Sequence, residues 1–206
     1  INVTNKKDDS GFAQDDVDLL KAVADQAAVG INKAQLWEMA VTDGLTSLYI
    51  RRYFLAKLTE EVHRSSRYKN EFCLVMLDLD HFKSVNDNYG HSAGDMVLRS
   101  VAKIIQQNVR EVDLPARYGG EEFIILLAQT EVDGAILMAE RLRKRIEELR
   151  LEGIPPITGS LGIACFPQDS QDIDDLIEKA DAAMYHAKQT GRNKLVVYES
   201  GMTVAK

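Results

Sequence analysis

A chain of 206 residues with 45% hydrophobic composition can bury one sizeable core and carry an appendage, which excludes a disordered tail. Its net charge of −7 and pI near 5.2 exclude a surface built for a long nucleic acid, whose affinity rests on neutralising many phosphates. A small, highly charged nucleotide stays open, because metal ions and a few local cations offset a triphosphate without making the whole chain basic. Cys73 and Cys165 stand far apart outside any C-x-x-C spacing, so neither a zinc site nor a disulfide framework is expected, and a reducing, cytoplasmic compartment fits. No run approaches the roughly 18 apolar residues that span a bilayer, and no basic-then-apolar segment resembles a secretory signal. A start at Ile1 rather than Met reads as a fragment of something longer.

Residues 1–14 are polar, with a turn-like cluster from Lys6 to Gly11 after a short β-like start. From Asp15 onward Val17, Leu20, Ala24, Ala27, Ile31 and Ala34 recur three and four apart, the seam of a heptad helix that wants a partner. Packing on its own domain is the alternative for so short a seam. The boundary to a main domain falls near Val41-Thr42-Asp43-Gly44. Helix 51–68 leads to strand 72–79, whose run of Phe72, Leu74, Val75, Met76, Leu77 and Leu79 predicts burial on both faces. A short helix at 81–87 precedes one at about 92–110, with Val97, Val101, Ile104 and Ile105 on one side. Strands 114–118 and 122–127 flank Gly119-Gly120, which reads as a tight hairpin with glycine at positive φ. Helix 131–150, strand 157–165, helix 173–189 and strand 194–198 complete an α+β domain of ferredoxin-like or cyclase-like type.

Asp78 and Asp80 close the most hydrophobic strand, and alternation puts both on one face with Leu79 opposite. Charge at the end of a buried strand is expensive unless it binds something. Asp80 by itself reads as the N-cap of the next helix; Asp78, one pleat deeper, does not. The second cluster is Arg117-Tyr118-Gly119-Gly120-Glu121-Glu122-Phe123, where a bare glycine pair admits a bulky ligand close to the backbone and two carboxylates follow. A solvated turn is the alternative for that motif alone. With strand 72–79 beside the hairpin, Asp78 and Glu121 face each other and form a hard-oxygen site suited to Mg²⁺ or Mn²⁺.

The run Leu-Asp-Leu-Asp-His-Phe-Lys-Ser-Val-Asn-Asp-Asn-Tyr-Gly-His-Ser-Ala-Gly-Asp from Leu77 to Asp95, the cluster 117–123 and Gly191-Arg192-Asn193 together resemble a GGDEF-domain diguanylate cyclase. The resemblance covers about residues 41–198, with Glu121 where the eponymous motif has Asp. It implies a nucleotidyl-cyclase-like fold, ferredoxin-like and related to the polymerase palm. A mainly antiparallel five-stranded sheet would be flanked by helices and preceded by a stalk helix. It implies condensation of two GTP into the second messenger cyclic di-GMP. Carboxylates at Asp78 and Glu121, with the carbonyl of Leu79, would hold Mg²⁺ or Mn²⁺, two ions per site, and Glu122 would assist deprotonation of the 3′-hydroxyl. Asn86 and Asp95 match the guanine readers. Gly119, Gly120, Phe82 and Lys83 are counted with the substrate-binding positions, although Phe82 reads as core in any case.

Lys188 and Arg192, four apart at a helix end, would project together onto terminal phosphates; stabilising a helix C-terminus is the alternative. Five residues separate Asp113 from Gly119, and Arg110-Glu111-Val112-Asp113 matches the family's R-x-x-D inhibitory site for the product, which a surface ion pair would also imitate. The family's D-x-L-T-G-L-x-N-R-R motif reads here from Asp43 to Arg52, with Ser47 for Gly and Ile50 for Asn. Phe12, the helix from Asp16 through Ile31 and Asn32-Lys33-Ala34 resemble the closing strand and last helix of a GAF sensory domain. Residues 1–40 are then a sensory remnant with a signalling helix, and 41–206 the catalytic domain. One GTP per domain implies a homodimer with facing sites, joined by the stalk helix. The competing expectation is a receptor that binds GTP or cyclic di-GMP without turnover.

Overall fold

The computed structural model describes residues 13–203, so the strand-like start and Phe12 of the GAF-like segment lie outside the described residues. Internal contacts divide the chain into two compact units at Val41/Thr42. In the first, helix α1 (Gln14–Val41) runs for 28 residues, about 42 Å at 1.5 Å per residue, with Asp15 and Asp16 at its positive end. Along it Val17, Val23, Val29, Ile31, Leu36 and Met39 are exposed. No helix of the described residues is long and apolar enough to cross a membrane.

The second unit runs β1 (Tyr49–Ile50), α2 (Arg51–Tyr68), β2 (Phe72–Leu79), α3 (Phe82–Tyr89), α4 (His91–Asn108), β3 (Leu114–Arg117), β4 (Glu122–Leu127), α5 (Val132–Glu147), β5 (Gly159–Phe166), α6 (Ile173–Gln189) and β6 (Leu195–Val197). One sheet takes all the strands in the order β1-β3-β4-β2-β5-β6. β2 pairs antiparallel with β4 and β5, β3 antiparallel with β4, and the edges β1 and β6 lie parallel to β3 and β5. The sheet therefore has six strands where the sequence predicts five, because a two-residue strand carries no periodicity to read.

All eight residues of β2 are buried, as an apolar run in a central strand requires. Its two faces meet different layers. Cys73, Val75, Leu77 and Leu79 pack with Val97, Val101 and Ile105 of α4 and Leu142 of α5. Phe72, Leu74 and Met76 pack with Phe54 and Leu58 of α2 and Leu176 and Met184 of α6. Each such side chain contributes about 1.5–3 kcal/mol on burial, so the strand end that carries Asp78 is fixed from both sides.

The expectation for the cysteines is overturned. The β2–β5 register sets Cys73 directly opposite Cys165, and the two sulfurs form a disulfide at 2.07 Å. A sequence separation of 92 hides this neighbourhood, since only strand pairing brings the residues together.

Candidate active site

Asp78, the last residue but one of β2, lies on the α2/α6 side of the sheet and is 5% exposed. Its opposite number on β4 is Glu122, not the Glu121 expected from sequence, and on β5 it is Ser160. Directly opposed residues of an antiparallel pair hold their Cβ atoms about 4.5–5.5 Å apart. Glu121 lies one residue nearer the hairpin tip, just outside β4. Burial raises the pKa of Asp78, and its hydrogen-bonded neighbour Lys188 works against that shift. Burial and then the charge of Asp78 raise both Glu121 and Glu122, with Asp181 adding to the rise at Glu122.

Lys188 Nζ lies 2.7 Å from Asp78 Oδ2 and draws down all four of these carboxylates. Lys188 among Asp78, Glu121, Glu122 and Asp181, with Arg51 also acting on Glu122, leaves the strand end short of positive charge among the described residues. Among the described residues no three His, Cys, Asp or Glu side chains converge to hold a metal by themselves. A Mg²⁺-type ion does not need them to, because it is commonly held by one or two carboxylates with the remainder from substrate phosphates and water. Asp78, the Leu79 carbonyl and Glu121 fit that pattern.

The β3–β4 connection is a four-residue loop, closed by Tyr118 N donating to Glu122 O at 2.8 Å. Gly119 and Gly120 do not take positive φ, so the expected two-residue turn is corrected. Their bareness serves space instead. A Cβ on Gly119 would stand 2.7 Å from Glu122 Oε2, and one on Gly120 would meet nothing within 4 Å. Arg117 fixes the loop: its Nη2 and Nε donate to Gly120 O at 2.7 and 3.1 Å, while Nη1 reaches Asp43 Oδ1 at 3.1 Å. Asp43 also accepts from Thr46 N and Oγ1 at 2.9 and 2.7 Å, and these contacts with Arg117 lower its pKa against the opposing effect of burial.

Asp80 is not the cap of α3. The N-cap position belongs to His81, with no side-chain cap bond, and Asp80 faces β5, accepting from Thr158 Oγ1 and Ser160 Oγ, each at 2.7 Å. α6 ends at Gln189, the predicted end, so Lys188 and Arg192 do not share a helical turn and the i,i+4 spacing does not make them project together. Arg192 sits beyond it, exposed in a turn at φ 59°. Lys188 points to Asp78 rather than to a helix terminus.

Asn86 on α3 and Asp95 on α4 are brought together by the tight α3–α4 junction at Gly90, φ 81°. Gly94 is the contact point: an added Cβ would overlap Asn86 Oδ1 and stand 3.1 Å from Phe82 Cζ. Phe82 is 5% exposed and belongs to the core, while Lys83 is exposed beside it. Asp95, the fifth residue of α4, lies past the first turn, and Arg99 holds it only loosely at 3.9 Å.

The family described as "Diguanylate cyclase, GGDEF domain" matches residues 40–194. The chain belongs to the GGDEF family. It is 38% identical over 200 residues to Diguanylate cyclase A of Treponema denticola, covering 94% of this chain and 54% of that protein. It is 37% identical over 169 residues to the response regulator PleD of Caulobacter vibrioides, covering 77% and 36%. The chain thus spans about half or less of these relatives. The coiled coil and GGDEF domain of DgcB from Caulobacter crescentus, solved with c-di-GMP, superposes at TM-score 0.78 and 30% identity, covering 90% of this chain and 100% of that one. The active GGEEF domain of a Vibrio cholerae diguanylate cyclase superposes at 0.70 and 34% identity, covering 74% and 98%.

Within the GGDEF frame the two departures near α2 have local explanations. Ser47 sits at φ 57°, a left-handed position that the family's glycine occupies without strain. Ile50 is the N-cap of α2 and makes no side-chain bond there, whereas an asparagine can. Arg110 is tied by its backbone N to Asp113 Oδ2 at 2.8 Å and by its guanidinium to Asp113, Thr130 Oγ1 and Ala128 O. The arginine side chain stays 59% exposed and the aspartate 1%.

Sequence reasoning missed Asp181, Arg117 and Asp43. Asp181 and Glu122 line one cavity of about 280 Å³, with Met76 and Tyr118 in its walls. Burial, then the charge of Asp78, raise the Asp181 pKa, opposed by Lys188. The available signal is an acid seven residues before Lys188, on the helix side that also carries the buried Ile177 and Met184.

Proposed function

We propose that this GGDEF domain condenses two GTP molecules into cyclic di-GMP and two pyrophosphates, working as a homodimer with one GTP held by each domain. The observation that carries this reading is the crowding of Asp78, Glu121 and Glu122 at one strand end around the ammonium of Lys188. Asp78, Glu121 and the Leu79 carbonyl would hold Mg²⁺ or Mn²⁺, two ions per site. Bound there, such ions supply Lewis-acid polarisation of the phosphates and charge neutralisation at the leaving pyrophosphate.

Glu122, held as a weaker acid than usual by burial and by Asp78, accepts the proton of the 3′-hydroxyl. The freed 3′-oxygen attacks the α-phosphorus of the facing GTP, the bond to pyrophosphate breaks, and the same step in the other direction closes the ring. Lys188, Arg192 and Lys83 bind phosphate oxygens. Asp95 accepts from the guanine ring N–H and exocyclic amine, and Asn86 from the same edge, leaving these groups without their partners when adenine is bound. Gly94→Ala is expected to push Asn86 aside while leaving the fold intact, since the overlap is with the end of the Asn86 side chain and Phe82 Cζ, at 3.1 Å, has to give by only a few tenths of an ångström. Titration with GTP should show affinity lowered about tenfold, an effect of about 1.4 kcal/mol, with an unchanged circular dichroism spectrum.

The exposed apolar residues of α1 favour pairing with a second copy, and pairing turns an improbable encounter of two bound nucleotides into an oriented one. The DgcB structure contains a coiled coil beside its GGDEF domain, which supports the same assignment for α1. Arg110 and Asp113 form the inhibitory site for the product, with the exposed guanidinium available to guanine and phosphate edges. The test is incubation with GTP and Mg²⁺, with products identified by mass. Cyclic di-GMP should form at a rate that rises faster than protein concentration, slow as it accumulates, and no longer slow in Arg110→Ala. Intact GTP at every protein concentration refutes the reading.

A further inference from the structure

Asp80 has no part in the chemistry above, yet its carboxylate joins three places in the chain. It is 3% exposed and accepts from Thr158 Oγ1 at 2.7 Å, Ser160 Oγ at 2.7 Å and the backbone N–H of Asn193 at 3.0 Å. The last of these bonds holds a turn of unusual backbone. Gly191, Arg192 and Asn193 take φ of 116°, 59° and 46° in succession, and two of the three carry side chains. Left-handed residues of that kind persist only where their surroundings over-determine them.

The surroundings here do so from both sides. Arg192 N donates to Ala187 O at 2.9 Å. The Asn193 side chain accepts from Arg143 Nη1 at 2.7 Å and donates to Glu147 Oε1 at 2.8 Å. Arg143 is itself held by Glu140 at 2.8 Å and Glu147 at 2.9 Å. We propose that Asp80 is a positioning residue: by gripping Asn193 N–H it fixes Arg192 and the end of α6 that bears Lys188 against the strand end that bears Asp78. Substrate phosphates then meet a cationic corner that is already in place, and ordering of the turn is not charged against binding. Asp78 and Asp80 stand two residues apart, so one rigid strand end anchors both the carboxylate side and the phosphate side of the site. This inference rests on the GTP reading above.

The test measures affinity of the full chain for a non-hydrolysable GTP analogue and for GMP, which lacks the terminal phosphates. Asp80→Ala alone strands the buried Ser160 hydroxyl and the half-buried Thr158 hydroxyl and risks the fold. The triple variant Asp80→Leu, Thr158→Val, Ser160→Ala replaces the carboxylate and both hydroxyls with apolar groups of similar shape, a change that proteins tolerate far better. It should lose about tenfold in analogue affinity, as expected for one charge-assisted hydrogen bond, and stay within about twofold for GMP. Adding Arg192→Ala should cost less than about twofold more, because coupled residues are not additive. Asp80→Asn keeps an oxygen toward Asn193 and an amide toward Ser160, and should restore analogue affinity. A triple variant that binds the analogue like the parent, or loses both ligands equally, overturns the inference alone. A parent that binds neither ligand overturns it together with the functional reading.

Discussion

Glu122→Gln should lower cyclic di-GMP formation about a hundred- to ten-thousandfold, the range contributed by general acid–base catalysis, and at the same time raise the melting temperature in metal-free buffer at neutral pH. Glu121→Gln should cost about a thousandfold, from loss of about 4 kcal/mol of charge stabilisation, with the same rise in stability. Both directions follow from one arrangement. Burial first, and the charge of Asp78 second, push the pKa of each glutamate up. A carboxyl with a raised folded-state pKa binds its proton more readily when folded than when unfolded. Its ionisation therefore weakens the fold above the folded pKa, and that burden is lifted as pH falls through it. The parent should gain stability on acidification from neutrality into the carboxylate range, and each glutamine variant should gain less. Melting curves from pH 7 downward in EDTA check this. Variants that melt lower than the parent at pH 7, or that keep full turnover, contradict it.

Gly162→Ala should be among the most damaging single methyl groups that can be added to this domain. Gly162 lies in β5 between Met76 and Val196, under α6. Its Cβ would overlap Ala180 O and Met184 N and stand 2.9 Å from Ala183 C, all backbone atoms of the helix. No side chain can swing away, so α6 must lift from the sheet. Overpacking of this kind costs about 3 kcal/mol, which for a domain of this size lowers the melting temperature by about 6–12 °C. Because α6 carries Lys188 and Asp181, turnover should fall with it. Calorimetry of the variant checks the shift, and a melting temperature within about 2 °C of the parent would show that β5 and α6 are less tightly seated than described.

Elements with long patterns were legible in the sequence. β2 announced itself by an uninterrupted apolar run and α4 by a one-sided stripe, and both occupy the expected span within a few residues. Asp78 was legible too, since a charge at the buried end of such a strand needs a reason. What escaped depends on register or on distant partners. Glu122 rather than Glu121 opposes Asp78 because pairing is set by one residue of register, which the Gly-Gly motif does not specify. Asp80 looked like a helix cap because its partners Thr158, Ser160 and Asn193 lie about 80 to 113 residues away. The Arg117–Asp43 pair and the Cys73–Cys165 bond are hidden in the same way. The end of α6 at Gln189 was legible, whereas the left-handed backbone of Arg192 and Asn193 that follows has no signal beyond Gly191.

The most direct test is a crystal structure of this chain with a non-hydrolysable GTP analogue and Mn²⁺, with the ion located by its anomalous signal. The account predicts density bonded to Asp78, Glu121 and the Leu79 carbonyl, with Lys188 moved off Asp78 onto the phosphates. A nucleotide bound with no anomalous peak at these residues, and Lys188 still 2.7 Å from Asp78 as it stands here, would contradict it.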